Sequence, residues 1–82
     1  MINIAILARN QNEFATFIRD IRPDRFTKQY GVKGDTGYLY IREPIQLKGL
    51  KIDGFIELGG FRYLTMRVRQ ELKEHLAARM DR

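Results

Sequence analysis

The order of apolar patterns along the chain predicts an α/β domain on a three-stranded, mainly parallel sheet, and three observations carry that prediction. Ile2 to Ala8 is an apolar run broken only by Asn3, the pattern of a strand covered on both faces. Phe14, Phe17, Ile18 and Ile21 recur at i, i+3, i+4 and i+7, one stripe of an amphipathic helix. Phe61, Leu64, Val68, Leu72 and Leu76 form a second stripe near the other end. The resulting order is β-α-β-(turn)-β-α, with two main helices.

The first strand covers Ile2 to Ala8. Asn10, followed three residues later by Glu13, resembles a capping box that opens a helix from about Gln11 to Arg22. Pro23 ends it, because a residue before proline is pushed out of the α region. Gly31, Gly34, Asp35 and Gly37 make the next segment turn-rich. Gln29–Lys33 either pairs back as a hairpin or runs as plain loop; the loop is the preferred reading. Tyr38–Ile41 is aromatic and β-branched, a short strand. Pro44 opens a turn or 3₁₀ piece held to the sheet by Ile45, Leu47 and Leu50. Lys51–Leu58 is the third strand, with Ile52, Gly54, Ile56 and Leu58 on one face and Asp53, Phe55 and Glu57 on the other. Gly59-Gly60 breaks it, and the last helix runs to about Met80. Right-handed crossovers with the most apolar strand in the middle give the strand order 2-1-3.

Eighty-two residues make a single domain, 1–82, that buries only about 60–65% of its unfolded surface. A hydrophobic fraction of 44% is nonetheless a folding composition. No apolar run approaches the length that spans a bilayer, and the first residues lack the pattern of a secretory signal. Without cysteine there is neither a disulfide framework nor a thiolate zinc site. A cytoplasmic protein with no membrane partner is the expectation.

The residue inventory excludes several chemistries. Cysteine and serine are both absent, which removes two common nucleophiles. The one histidine, His75, has nothing near it in sequence to orient it as a base, and a single histidine makes no His-rich metal site. Asp53 and Glu57 share a strand face but stand roughly 13 Å apart, too far for one metal ion or a carboxylate dyad. The expectation is a chain with no catalytic residues, no metal and no cofactor.

What remains is binding. In open α/β sheets ligands sit beyond the carboxyl ends of the strands, where the order changes direction. That point is flanked by Ala8–Asn12 and Leu58–Arg62, and both segments lead into helix N-termini that favour anions. Arg9, Asn10, Asn12, Gly60 and Arg62 are therefore the candidate anion-binding residues. The glycines and the Lys-Ser/Thr pair of a phosphate loop are missing, which argues against nucleotide hydrolysis. The net charge of +5 favours polyanions and acidic surfaces. Its clusters are Arg19, Arg22 and Arg25 around the end of the first helix, and Arg62, Arg69 and Lys73 along the last one. Cations at a helix C-terminus are stabilising in their own right, and Glu71 and Glu74 offer neighbours to Arg67. Tyr30, Tyr38, Tyr40 and Tyr63 could stack on bases.

Ile4–Asn10 with Glu13, Leu47–Ile56 and Gly59-Gly60 before an Arg/Glu-rich helix together resemble small uncharacterised phage-encoded proteins with a P-loop-like or Rossmann-like core. The resemblance implies a parallel three-stranded core and no particular reaction. With it, the leading expectation is a non-enzymatic phage accessory protein that binds and modulates a host protein in the host cytoplasm. A basic nucleic-acid-binding protein and a vestigial nucleotide or phosphate site are the alternatives, with a homodimer through a sheet edge or the last helix as a further partner.

Overall fold

The computed structural model describes residues 2–43, 46 and 51–80, the side chains of 79 and 80 aside. It is an α/β structure of five strands and two α-helices: β1 (Ile2–Leu7), α1 (Gln11–Ile21), β2 (Arg25–Phe26), β3 (Tyr30–Lys33), β4 (Thr36–Tyr40), β5 (Gly54–Glu57), a 3₁₀ segment (Gly59–Tyr63) and α2 (Met66–Met80). The strands form one sheet in the order β2-β3-β4-β1-β5. β1 pairs in parallel with β4 and β5, whereas β2–β3 and β3–β4 are antiparallel.

This corrects the three-stranded, mainly parallel sheet: the sheet has five strands and is mixed. The difference lies in residues 25–33. Gly34 adopts φ +59° at the first central position of a two-residue turn joining Lys33 to Thr36, where glycine supplies the positive φ of a II′-type hairpin. Its N–H donates to Asp24 Oδ2 at 2.8 Å. The segment read as loop is thus a paired strand, and it recruits Arg25-Phe26 as a further edge strand. The predicted turn over Pro44–Leu50 falls outside the described residues, except for Gln46.

β1 is apolar because each face has its own cover. Ala5 and Leu7 join Ile41, Ile52, Phe61, Leu72 and Leu76 in a cluster beneath α2. Ile6 and Ala8 join Phe14, Ile18 and Tyr40 beneath α1. Here Phe14 stacks on Tyr40 with ring centroids 5.4 Å apart, and Phe17 meets Tyr38 edge-on at 5.7 Å. α1 ends one residue early: Arg22 takes a left-handed conformation (φ 54°), and its N–H donates to the Arg19 carbonyl. The second apolar stripe is interrupted. Phe61 is buried in the 3₁₀ segment, Leu64 precedes α2, and Val68 is 39% exposed, so Leu72 and Leu76 anchor this helix.

Candidate functional site

Three parallel strands end at the same rim of the sheet, and each runs on into an exposed arginine: β1 into Arg9, β4 into Arg42 and β5, through the 3₁₀ segment, into Arg62. Sequence reasoning singled out Arg9 and Arg62 but not Arg42. The parallel pairing of β4 with β1 is the signal that would have found it.

At the centre of this rim the expected anion crevice is filled by the protein's own carboxylate. Glu13 Oε1 accepts from the Arg9 N–H at 2.7 Å, and Oε2 accepts from the Gly60 N–H at 2.6 Å. Asn10 Oδ1 is committed as the N-cap of α1, accepting from the Glu13 N–H at 2.9 Å. This is half of a capping box: the glutamate returns to the residue before the cap and also crosses to the other loop. A Cβ on residue 60 would collide with the Glu13 carboxylate, so glycine is what permits the approach. The hollow beside it, of about 340 Å³, is lined by Glu13, Thr16, Phe17, Asp20, Leu58 and Gly59, and its two carboxylates make it a poor host for phosphate. Asn12 lines a different hollow, of about 250 Å³, with Arg19, Phe26 and Lys28. Of the five candidate anion ligands, Asn10 and Gly60 are already bonded and Asn12 faces elsewhere.

Arg9 and Arg62 do converge, on an aromatic ring outside the crevice. The Arg9 Cζ lies 5.6 Å and the Arg62 Cζ 5.4 Å from the ring centroid of Tyr63, a residue 66% exposed. An exposed cation–π contact contributes about 0.5–1 kcal/mol, which offsets part of the repulsion between two like charges gathered at one ring. Tyr40 adjoins the same rim. Burial pushes its phenol above the ordinary value of 10.0, opposed by the Arg42 charge and reinforced by Glu13.

The basic face expected along the last helix is not continuous. Arg62 turns to Tyr63, and Lys73 Nζ forms an ion pair with Glu57 Oε2 at 2.9 Å. Arg69 is partly buried, its Nε without a hydrogen-bond partner among the described residues. Arg67 stands exposed in the first turn of α2, a turn that contains no acid. Arg19, Arg22 and Arg25 are exposed around the end of α1, where Lys33 Nζ also donates to the Ile21 carbonyl at 2.7 Å, whereas Lys28 lies beside Gln11 and Asn12 at the other end of the helix. Cations at the carboxyl end satisfy the helix terminus itself.

Asp53 is structural, its Oδ2 accepting from the Asn3 N–H at 2.8 Å, and His75 is exposed. Among the described residues no three His, Cys, Asp or Glu side chains come together as a metal site, and no helix is long and apolar enough to cross a membrane. No family model, curated protein or solved structure matches the chain.

Proposed function

We propose that the chain is a non-enzymatic binding domain that holds single-stranded nucleic acid at the carboxyl-end rim of its sheet. The observation that carries this reading is the convergence of Arg9 and Arg62 on the ring of Tyr63, an exposed residue. Guanidinium groups donate in a planar fork suited to phosphodiester oxygens, and their flat faces also stack on bases. An exposed tyrosine gives every base a π-face, which makes such binding tolerant of sequence. Arg42 and Arg67 extend the cationic surface, and the +5 net charge steers a polyanion toward it. Glu13 already occupies the backbone donors of the crevice, so the ligand is a strand lying across the rim and not a nucleotide seated within it. A host-protein partner, the leading expectation from sequence, has no comparable cluster in its favour.

Fluorescence anisotropy with a labelled single-stranded oligonucleotide tests the proposal. Replacing Arg9 or Arg62 by alanine is expected to weaken binding and to reduce the slope of log K against log salt by about 1 for each phosphate no longer neutralised. Tyr63→Leu should cost about 1–3 kcal/mol of stacking while leaving that slope in place. No anisotropy change at micromolar protein in low salt, or salt slopes unaltered by both arginine replacements, overturns the reading.

A further inference from the structure

The sheet has two edges, and among the described residues they are unequally protected. The β2 edge is two residues long, Arg25-Phe26, preceded by Pro23 and Asp24 and followed by Thr27 and Lys28. Short length, proline and flanking charge are the usual means by which an edge avoids pairing with another chain. The β5 edge, though flanked by Lys51 and Asp53, is longer and has no proline, and among the described residues no strand pairs with its outer side. Its backbone is paired to β1 from the Asp53 N–H, which donates to the Asn3 carbonyl at 2.9 Å, to the Leu58 N–H, which donates to the Leu7 carbonyl at 2.8 Å. Gly54-Phe55-Ile56-Glu57 contains no proline or lysine. Phe55 and Ile56 are 40% and 39% exposed and, by strand alternation, stand on opposite faces of the sheet. Neither helix therefore covers the outer margin of this strand.

We propose that β5 is a homodimer edge, pairing antiparallel with β5 of a second copy about a two-fold axis to make one continuous ten-stranded sheet. Local charge favours a second copy over any other strand. The chain carries +5 overall, yet along β5 the only charge is Glu57, and the protein's own Lys73 neutralises it at 2.9 Å. Two copies can meet here without the repulsion they face at the arginine rim, whereas an acidic partner is drawn to the rim instead.

The register follows from backbone hydrogen bonding and alternation. Residues directly opposite in an antiparallel pair share a face, so a two-fold centred within β5 passes through a residue and not between two. An axis at Phe55 would set Glu57 of the second copy against Asp53, whose N–H and carboxylate both already bond Asn3 of β1, so the ladder could not continue past the central pair. An axis at Ile56 instead sets Ile56 against Ile56 of the second copy and Phe55 against its Glu57, with no like charges opposed. Because the paired strands run in opposite directions, the two arginine rims point to opposite ends of the dimer, and each protomer keeps its own binding surface.

Sedimentation velocity on the full chain across the micromolar range tests the dimer, since the population of a homodimer depends on protomer concentration. Wild type is expected to become predominantly dimeric by about 100 µM, Ile56→Lys to remain monomeric, and Phe26→Lys on the opposite edge to dimerise as wild type does. A wild-type monomer at that concentration, or a dimer that survives Ile56→Lys, overturns the proposal. The register has its own readout, because the chain contains no cysteine. Ile56→Cys places two thiols across the axis at a spacing a disulfide accepts, about 4.5–5.5 Å between Cα atoms, whereas Phe55→Cys leaves them on the diagonal. Rapid oxidative cross-linking is expected for the first variant, and cross-linking of the second alone overturns the assigned pairing.

Discussion

α1 and α2 each follow a parallel strand of the same sheet, yet their first turns carry opposite charge. α1 opens with Asn10 as cap and Glu13 at its third position, and both side chains accept from backbone N–H groups. Its positive end is closed by the protein itself. α2 opens with Thr65, whose Oγ1 accepts from the Val68 N–H at a long 3.4 Å, and then with Arg67 in a turn that holds no acid. A cation in that position opposes the helix dipole by about 0.3–1 kcal/mol. A sequence selected only for stability would place an acid there. The contrast shows how one fold divides its rim: the α1 side is completed internally, while the first turn of α2 keeps its positive potential.

The largest effect that tests this contrast comes from the closed side. Glu13→Ala leaves the Arg9 and Gly60 N–H groups without their carboxylate acceptor, and hydrogen bonds to charged groups contribute about 1.5–3 kcal/mol each before water replaces them. The half-exposed site allows partial replacement, so a net loss of about 2 kcal/mol in urea unfolding is expected. Thr65→Ala, the matching cap removal on α2, should cost no more than about 1 kcal/mol. Equal losses for the two variants would show that Glu13 does not join the two loops as described.

Next in size is a substitution expected to move stability and binding in opposite directions. Arg67→Glu replaces an unfavourable charge by a favourable one at the α2 terminus, a gain of up to about 1 kcal/mol. Facing Glu71 one turn on offsets about 0.2–0.5 kcal/mol of it, so a net stabilisation of about 0.5 kcal/mol is expected. It should also weaken oligonucleotide binding, because the rim loses one positive charge and gains a negative one. Stabilisation with unchanged affinity would confine the ligand to the Arg9–Tyr63–Arg62 cluster. Loss of stability would break the comparison between the helices altogether.

Legibility in the sequence followed the range of the interactions. β1 could be read because its residues are apolar on both faces, and α1 because its stripe and cap are local. The pairing of Asn10 with Glu13 was visible, but the reach of Glu13 to Gly60 spans 47 positions and has no local signature. β2 and β3 escaped for a related reason. Arg25-Phe26 is exposed and polar-flanked, and it is a strand only because Val32 and Gly31 lie opposite. Gly34 reads equally well as loop or as the first residue of a hairpin turn. Phe61 and Leu64 keep helical spacing with Val68 even though a 3₁₀ segment and a cap intervene, so the stripe overstated the length of α2. Tyr63, where the two arginines meet, appeared only as one of four tyrosines, since nothing in its own neighbourhood announces Arg9.

The smallest expected effect probes the point where α1 and the rim touch. The Tyr40 ring is stacked on Phe14 of α1, and burial raises its phenol above 10.0, with Glu13 acting in the same direction and Arg42 against it. The folded chain therefore holds this proton more tightly than the unfolded chain does. The stability contributed is fully present below pH 10.0 and is lost as pH rises through the folded value. Unfolding measured at a series of alkaline pH values should show wild type losing stability in that window more steeply than Tyr40→Phe, which has no phenol to ionise. In a Glu13→Ala background the raised value should fall back toward 10.0, because the carboxylate that reinforces it is gone. A Tyr40→Phe variant with the same alkaline decline as wild type would mean that this phenol titrates as it does in the unfolded chain, and that α1 closes less tightly over the rim than the stacked rings imply.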